Sequence, residues 1–163
     1  MKSLNTVESS GIITVDLLDF APAEECVFLD ITDYLYQGLI LKEKEFKQAV
    51  ADTNWNEYAD KSVAIGCSAD VIIPLWAYMT LACQLESVAT RFDICSKNEL
   101  ILQIWNDNIA SEQFEHLADK KVVIRARPEI DPALYSLISK KLKPIVKTLM
   151  YGEAGLPKVI WKN

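Results

Sequence analysis

Cys67 sits where a thiol could do chemistry. It directly follows the apolar run at residues 62–66 and opens the polar loop Gly66-Cys67-Ser68-Ala69-Asp70, ahead of an apolar stretch that begins at Pro74. A thiolate at a strand end, facing backbone N–H groups or an arginine, is stabilised and can act as a nucleophile or a soft metal ligand. The plainer alternative, a buried inert thiol, is the favoured reading, because free cysteine is among the most buried residue types. Arg125 and Arg127 are two apart in Arg125-Ala126-Arg127-Pro128-Glu129, so on a strand they share a face. With Lys121 or Lys61 they could hold a carboxylate or phosphate; pairing with Asp70, Glu129 or Glu153 is the favoured alternative. In open parallel sheets, ligands bind beyond the C-terminal strand ends. The candidate ligand-binding set there is Cys67, Asp70, Arg125, Arg127 and Glu153.

Other machinery is thin. His116 is the single histidine, in a polar helical context that reads as solvated surface. A Cys–His dyad would need it to reach Cys67, and nothing in the spacing requires that. Cys26, Cys67, Cys83 and Cys95 contain no CxxC pair, so no metal set is assigned. Five unclustered glycines form no GxGxxG or phosphate loop. No cofactor is expected and catalytic residues are unknown. Trp76, Tyr78, Met79 and Trp105 read as core and helix-packing residues.

The elements that must position these residues occur twice. Lys61-Ser62-Val63-Ala64-Ile65 leads through a loop to Pro74 and an apolar helix with Tyr78, Leu81, Leu85 and Val88. Lys121-Val122-Val123-Ile124 leads to Pro132 and Tyr135, Ile138, Leu142 and Ile145 at the same spacings. Two strand–loop–helix repeat units follow, each needing burial of an apolar face. Helices are expected over residues 42–51, 74–91, 97–110, 111–118 and 132–142, with Pro144 ending the last. Residues 11–17 and 26–31 read as an N-terminal antiparallel strand pair, and Thr32-Asp33 as the cap of a short helix ending at Gly38. From residue 61, alternating strands and helices argue for an α/β fold, a mostly parallel sheet with covering helices. The tail Val159-Ile160-Trp161 is too apolar for a free end, so Trp161 docks on this domain or on a partner.

At 163 residues the chain suits a single domain over 1–163, with ordinary globular composition. A net charge of −6 argues against nucleic acid and anionic membrane. Lys140, Lys141, Lys143 and Lys147 read as a solvated helix face. No apolar run is long enough to span a membrane and no signal-peptide core is present, so a cytoplasmic location is expected. The cysteines are then thiols or ligands rather than staples.

The residues carry a resemblance as well. Gly11-Ile12-Ile13-Thr14-Val15-Asp16-Leu17, Gly38-Leu39-Ile40-Leu41-Lys42-Glu43-Lys44-Glu45-Phe46, Cys67-Ser68-Ala69-Asp70 with Pro74-x-Trp76-Ala77-Tyr78-Met79, and Met150-Tyr151-Gly152-Glu153 closely resemble a family of small bacterial proteins known as a domain of unknown function. The resemblance spans nearly the whole chain and implies identity, not activity. In the family pattern, a cysteine closely followed by aspartate also lies in the second repeat loop, and another cysteine follows the Met-Tyr-Gly-Glu motif. Here those places hold Arg125–Glu129 and Ala154-Gly155, so a complete thiolate site is doubtful and the arginines could have made the pocket cationic.

Two functions emerge as expectations. The first is a non-enzymatic, self-associating or partner-binding domain, a homodimer in the simplest form, using apolar surface near the repeats or tail. The alternative is a small-molecule or metal-binding domain, or a thiol-dependent enzyme, around Cys67, with Asp70 orienting, the arginines holding a small anionic ligand and Glu153 closing the site.

Overall fold

Short apolar runs bounded by polar turns set the strands, and apolar residues at four-residue spacing set the helices that cover them. The computed structural model describes residues 6–7 and 11–163. Its strands are β1 (Thr6–Val7), β2 (Ile12–Val15), β3 (Cys26–Asp30), β4 (Ser62–Gly66), β5 (Arg91–Ile94), β6 (Lys121–Arg125), β7 (Thr148–Gly152) and β8 (Lys158–Lys162). Its helices are α1 (Glu43–Asp52), α2 (Leu75–Leu85), α3 (Lys97–Ser111) and α4 (Pro132–Leu142). The chain divides into two compact units, Met1–Ala21 with Leu102–Asn163, and Pro22–Ile101.

The first unit holds a five-stranded sheet in the order β1-β2-β6-β7-β8. Strands β2, β6 and β7 run parallel, and β1 and β8 close the edges antiparallel. Val15, Val122, Ile124 and Leu149 pack against Leu134, Ile138 and Leu142 of α4 and Ile109 of α3. Asp131 caps α4 through the Ala133 N–H at 2.8 Å, and Pro132 fills the first turn, where its missing N–H costs nothing. Trp161 packs on this same core, which settles where the apolar tail docks. Trp105 also packs there, its indole N–H donating to the Leu17 carbonyl at 2.7 Å.

The second unit holds the parallel sheet β3-β4-β5. Leu29, Val63 and Ile65 pack with Phe46 and Val50 of α1 and with Ala77, Leu81 and Leu85 of α2. Central strand β4 is buried from Ser62 to Ile65, which explains its unbroken apolar run.

Both expected strand–loop–helix units form, β4 into α2 and β6 into α4. They lie in two different sheets rather than one. The N-terminal antiparallel pair also forms, but between β1 and β2. The segment at residues 26–31, expected beside β2, pairs parallel with β4 instead. The helix expected from Thr32 is a 3-10 turn, Ile31–Tyr34, capped one strand end earlier by Asp30. Helix α2 stops at Leu85, the expected 97–110 helix forms as α3, and the expected 111–118 helix is only a 3-10 turn, Glu115–Leu117. Among the described residues no helix is long and apolar enough to cross a membrane.

Candidate functional site

In the first unit, the parallel register places Val15 opposite Ile124, so the next residues, Asp16 and Arg125, meet at the strand ends. Asp16 Oδ1 accepts from the Leu18 N–H at 3.0 Å and caps the 3-10 turn Leu17–Phe20. The same carboxylate takes a two-armed bond from Arg127, Nε to Oδ1 at 2.9 Å and Nη2 to Oδ2 at 2.6 Å, and a third from Arg125 Nη1 at 3.2 Å. Arg–carboxylate forks of this kind are the strong form of ion pair. The Arg127 hydrogen bond holds the Asp16 carboxyl below the usual carboxylate range, against the opposing effect of burial, and Asp16 in turn raises the Arg127 guanidinium.

Helix α4 fixes the loop that carries Arg127. The Tyr135 hydroxyl accepts from the Arg127 N–H at 3.0 Å and donates to the Arg125 carbonyl at 2.8 Å. Its ring meets Tyr151 edge-on, with centroids 5.7 Å apart. Glu153 lies 3.8 Å from Arg125 Nε and Glu129 4.0 Å from Arg127 Nη1. Both glutamates are exposed, where such pairs contribute little. Two arginines thus face three carboxylates, and the strand end is a neutralised cluster rather than a cationic pocket. The favoured pairing with Glu129 and Glu153 is present but secondary. The dominant partner, Asp16, was not among the expected ones, and Asp70 lies in the other unit.

In the second unit, Asp30 closes β3 as Asp16 closes β2. Asp30 Oδ1 accepts from the Thr32 N–H at 2.9 Å and from the Ser68 N–H at 3.0 Å. Desolvation raises its carboxyl, but the bonds from Ser68 and Thr32 outweigh it and bring the pKa to about 2. The Thr32 hydroxyl accepts from the Ala69 N–H at 3.1 Å, and its oxygen lies 3.1 Å from Ser68 Oγ and 3.5 Å from Cys67 Sγ. Cys67 is half-buried and packs at the edge of the apolar core. Asp70 is exposed. The five candidates therefore fall into two groups, Cys67 with Asp70 and Arg125 with Arg127 and Glu153.

The two aspartates that tie these strand ends together are positions that residue-by-residue reading missed. A signal existed: Asp16-Leu17-Leu18-Asp19-Phe20 and Asp30-Ile31-Thr32-Asp33-Tyr34 share the pattern Asp, aliphatic, any, Asp, aromatic. Each forms a 3-10 turn whose leading aspartate caps it and reaches the loop after the neighbouring strand. Each unit then runs strand, 3-10 turn, α-helix, 3-10 turn, strand, helix, strand.

All four cysteines are free thiols, Cys26 buried and Cys83 exposed. Burial pushes the Cys26 and Cys95 thiols up. Among the described residues no group of three or more His, Cys, Asp or Glu side chains is placed to hold a metal ion. His116 is exposed, as expected.

Helix α2 carries a different kind of feature. Ala77, Leu81 and Leu85 face the core, while Ile72, Leu75 and Met79 are 96%, 80% and 69% exposed. Trp76 sits at the margin, its ring edge-on to Phe46 with centroids 5.4 Å apart. The exposed Met79 corrects its expected place in the core.

No curated protein and no solved structure matches the chain. Residues 2–163 match the family described as protein of unknown function (DUF2480). The match covers nearly the whole chain, and the chain belongs to this family.

Proposed function

We propose that this protein is a non-enzymatic binding module that pairs with a second copy of itself through the outer face of α2. The observation that carries this reading is that α2 is apolar on both sides. A helix in water normally turns a charged face outward, yet residues 71–85 contain no charged side chain. Residues 72, 75, 76, 79, 83 and 86 form the exposed stripe at helical spacing, and only Glu86 in it is charged.

A stripe of this kind is self-complementary. In an antiparallel pair with Met79 on the two-fold axis, Leu75 of one copy meets Cys83 of the other, and Ile72 meets the stem of Glu86. No like charges are opposed. Trp76, clamped by Phe46, supplies a rigid aromatic anchor of the type that dominates interfaces. Burying each large aliphatic side chain contributes roughly 1.5–3 kcal/mol at most, against about 4–15 kcal/mol for association, so a modest micromolar dimer is the expected strength. Four free thiols fit the reducing cytoplasm that this reading assumes.

The test is a cysteine placed on the axis. Met79→Cys in a Cys83→Ser background should form a disulfide-linked dimer under mild oxidation. Gln48→Cys, on the exposed face of α1, should not. Equal cross-linking at both positions would remove the reading.

A second reading keeps a ligand site at the strand ends. It is favoured by the Thr32 hydroxyl beside Cys67 and by the convergence of Arg125, Arg127 and Glu153. An anion at the arginines would have to compete with Asp16. This reading requires Cys67→Ser, or Arg127→Gln, to lose a ligand that co-purifies with the wild-type protein.

A further inference from the structure

Among the described residues, strand β8 is the edge of its sheet, with β7 as its one neighbour in the strand order. An edge strand presents unpaired N–H and C=O groups to any extended chain alongside it. The β7–β8 ladder carries a bulge: Leu149 pairs with Trp161 and Met150 with Val159, which leaves Ile160 as the extra residue. Bulges re-aim side chains, and the Ile160 side chain lines a half-open cleft of about 210 Å³ with Ile124, Leu149 and Tyr151 of the sheet and Tyr135 and Ser139 of α4. The cleft is apolar in effect. The Ser139 hydroxyl donates to the Tyr135 carbonyl at 2.7 Å, and the Tyr135 hydroxyl is held by the backbone of Arg125 and Arg127. An unpaired edge beside a pocket sized for one large side chain is the arrangement by which folded domains take up extended peptides: the main chain supplies affinity and the pocket supplies selectivity.

Charge identifies the occupant. Lys158 and Lys162 stand at the two ends of β8, and Lys143 lies over the Trp161 ring, 5.9 Å from its centroid. Glu153, the nearby acid, is engaged with Arg125. A basic strip on a chain of net charge −6 is selective for negative partners. A second copy of β8 is disfavoured, because antiparallel self-pairing would set Lys158 against Lys162 and like charges directly opposite are destabilising. We propose that β8 and its cleft bind an extended segment of another protein, with an apolar centre that seats one large side chain against Ile160 and acidic residues on both flanks. This surface is independent of the α2 face.

The test uses two fluorescent nonapeptides with the centre Val-Thr-Leu-Thr-Val, one flanked by Glu-Glu at each end and one by Lys-Lys. The full-length protein should bind the acidic peptide at least roughly tenfold more tightly than the basic one. The double variant Lys158→Glu, Lys162→Glu changes only exposed side chains and should invert that preference. Ile160→Ser should weaken the acidic peptide by roughly tenfold without changing the charge preference. Amide NMR shifts should cluster in residues 158–162 and around Tyr151. No binding of either peptide at millimolar protein, binding indifferent to the charge reversal, or shifts centred on α2 would each overturn the proposal.

Discussion

Arg127 lays both arms of its guanidinium on Asp16, a residue 111 positions earlier in the chain, at 2.9 and 2.6 Å. The bond ties the loop after β6 to the end of β2, while the same carboxylate caps the turn at Leu17–Phe20. One side chain thus holds a strand end, a turn and two arginines.

Removing it has a definable cost. Asp16→Ala loses a cap worth about 1 kcal/mol and leaves two partly buried guanidiniums facing each other. Exposed pairs contribute about 0–1 kcal/mol and broken buried pairs cost about 3–5 kcal/mol, so an intermediate total of roughly 2–4 kcal/mol is expected. Asp16→Asn, which keeps the cap, should cost less. Urea unfolding of the two variants decides this; equal midpoints for Asp16→Ala and wild type would refute it. The carboxyl is depressed in the fold, so its contribution is present above the usual carboxylate range and lost as pH falls below it.

Asp30 gives the second unit an acid-sensitive latch. Its pKa falls from 3.8 to about 2 on folding. The linked stability is fully present above the unfolded value and disappears as pH drops through the folded one. Allowing for partial exposure, it amounts to roughly 1–2 kcal/mol. Asp30→Asn keeps an acceptor for Thr32 and Ser68 but cannot titrate, so its stability should change less between pH 4 and pH 2 than that of the wild type. Parallel acid limbs in a pH series of urea melts would contradict this assignment.

The two glycines that close adjacent motifs should behave differently. Gly152 adopts φ +124°, a region open to glycine alone, where the Met-Tyr-Gly-Glu segment turns out of β7. Gly152→Ala is expected to cost about 1–3 kcal/mol. A Cβ at Gly66 meets the Phe28 ring at 2.9 Å and the Cys95 carbonyl at an ordinary 3.8 Å. The Phe28 ring is an exposed side-chain end that can give way more cheaply than backbone, so Gly66→Ala should cost no more than about 1 kcal/mol. Thermal unfolding of both variants measures the contrast.

Thiol reactivity separates the functional readings. Cys83 is exposed, whereas Cys26 is buried and its thiol is pushed up by that burial. In dilute solution, where the proposed dimer is dissociated, alkylation near neutral pH should modify Cys83 first and Cys26 only on unfolding. Mass mapping that found Cys67 alkylated ahead of Cys83 would favour the thiol-enzyme alternative.

Much of the fold was legible because its signals are local. The apolar runs at β4 and β6 and the four-residue spacing in α2 and α4 mark strands and helices wherever they lie. Strand partners are not local: residues 11–17 and 26–31 both read as strands, and nothing within them tells that one joins β6 and the other β4. Asp16 and its pairing with Arg127 escaped for the same reason, since a carboxylate finds its guanidinium only after the parallel register is set. Met79 reads as core because an apolar helix gives no hint of which face the fold leaves open.

The most direct test of the account is sedimentation equilibrium of the wild-type protein and of Leu75→Asp, Met79→Asp. Both substitutions lie on the exposed stripe and leave Ala77, Leu81 and Leu85 in the core. The expected result is a concentration-dependent dimer for the wild type and a monomer for the variant, folded alike by circular dichroism. A wild-type monomer at the highest micromolar concentrations, or a variant that still dimerises, would contradict the assignment of α2 as the self-association face.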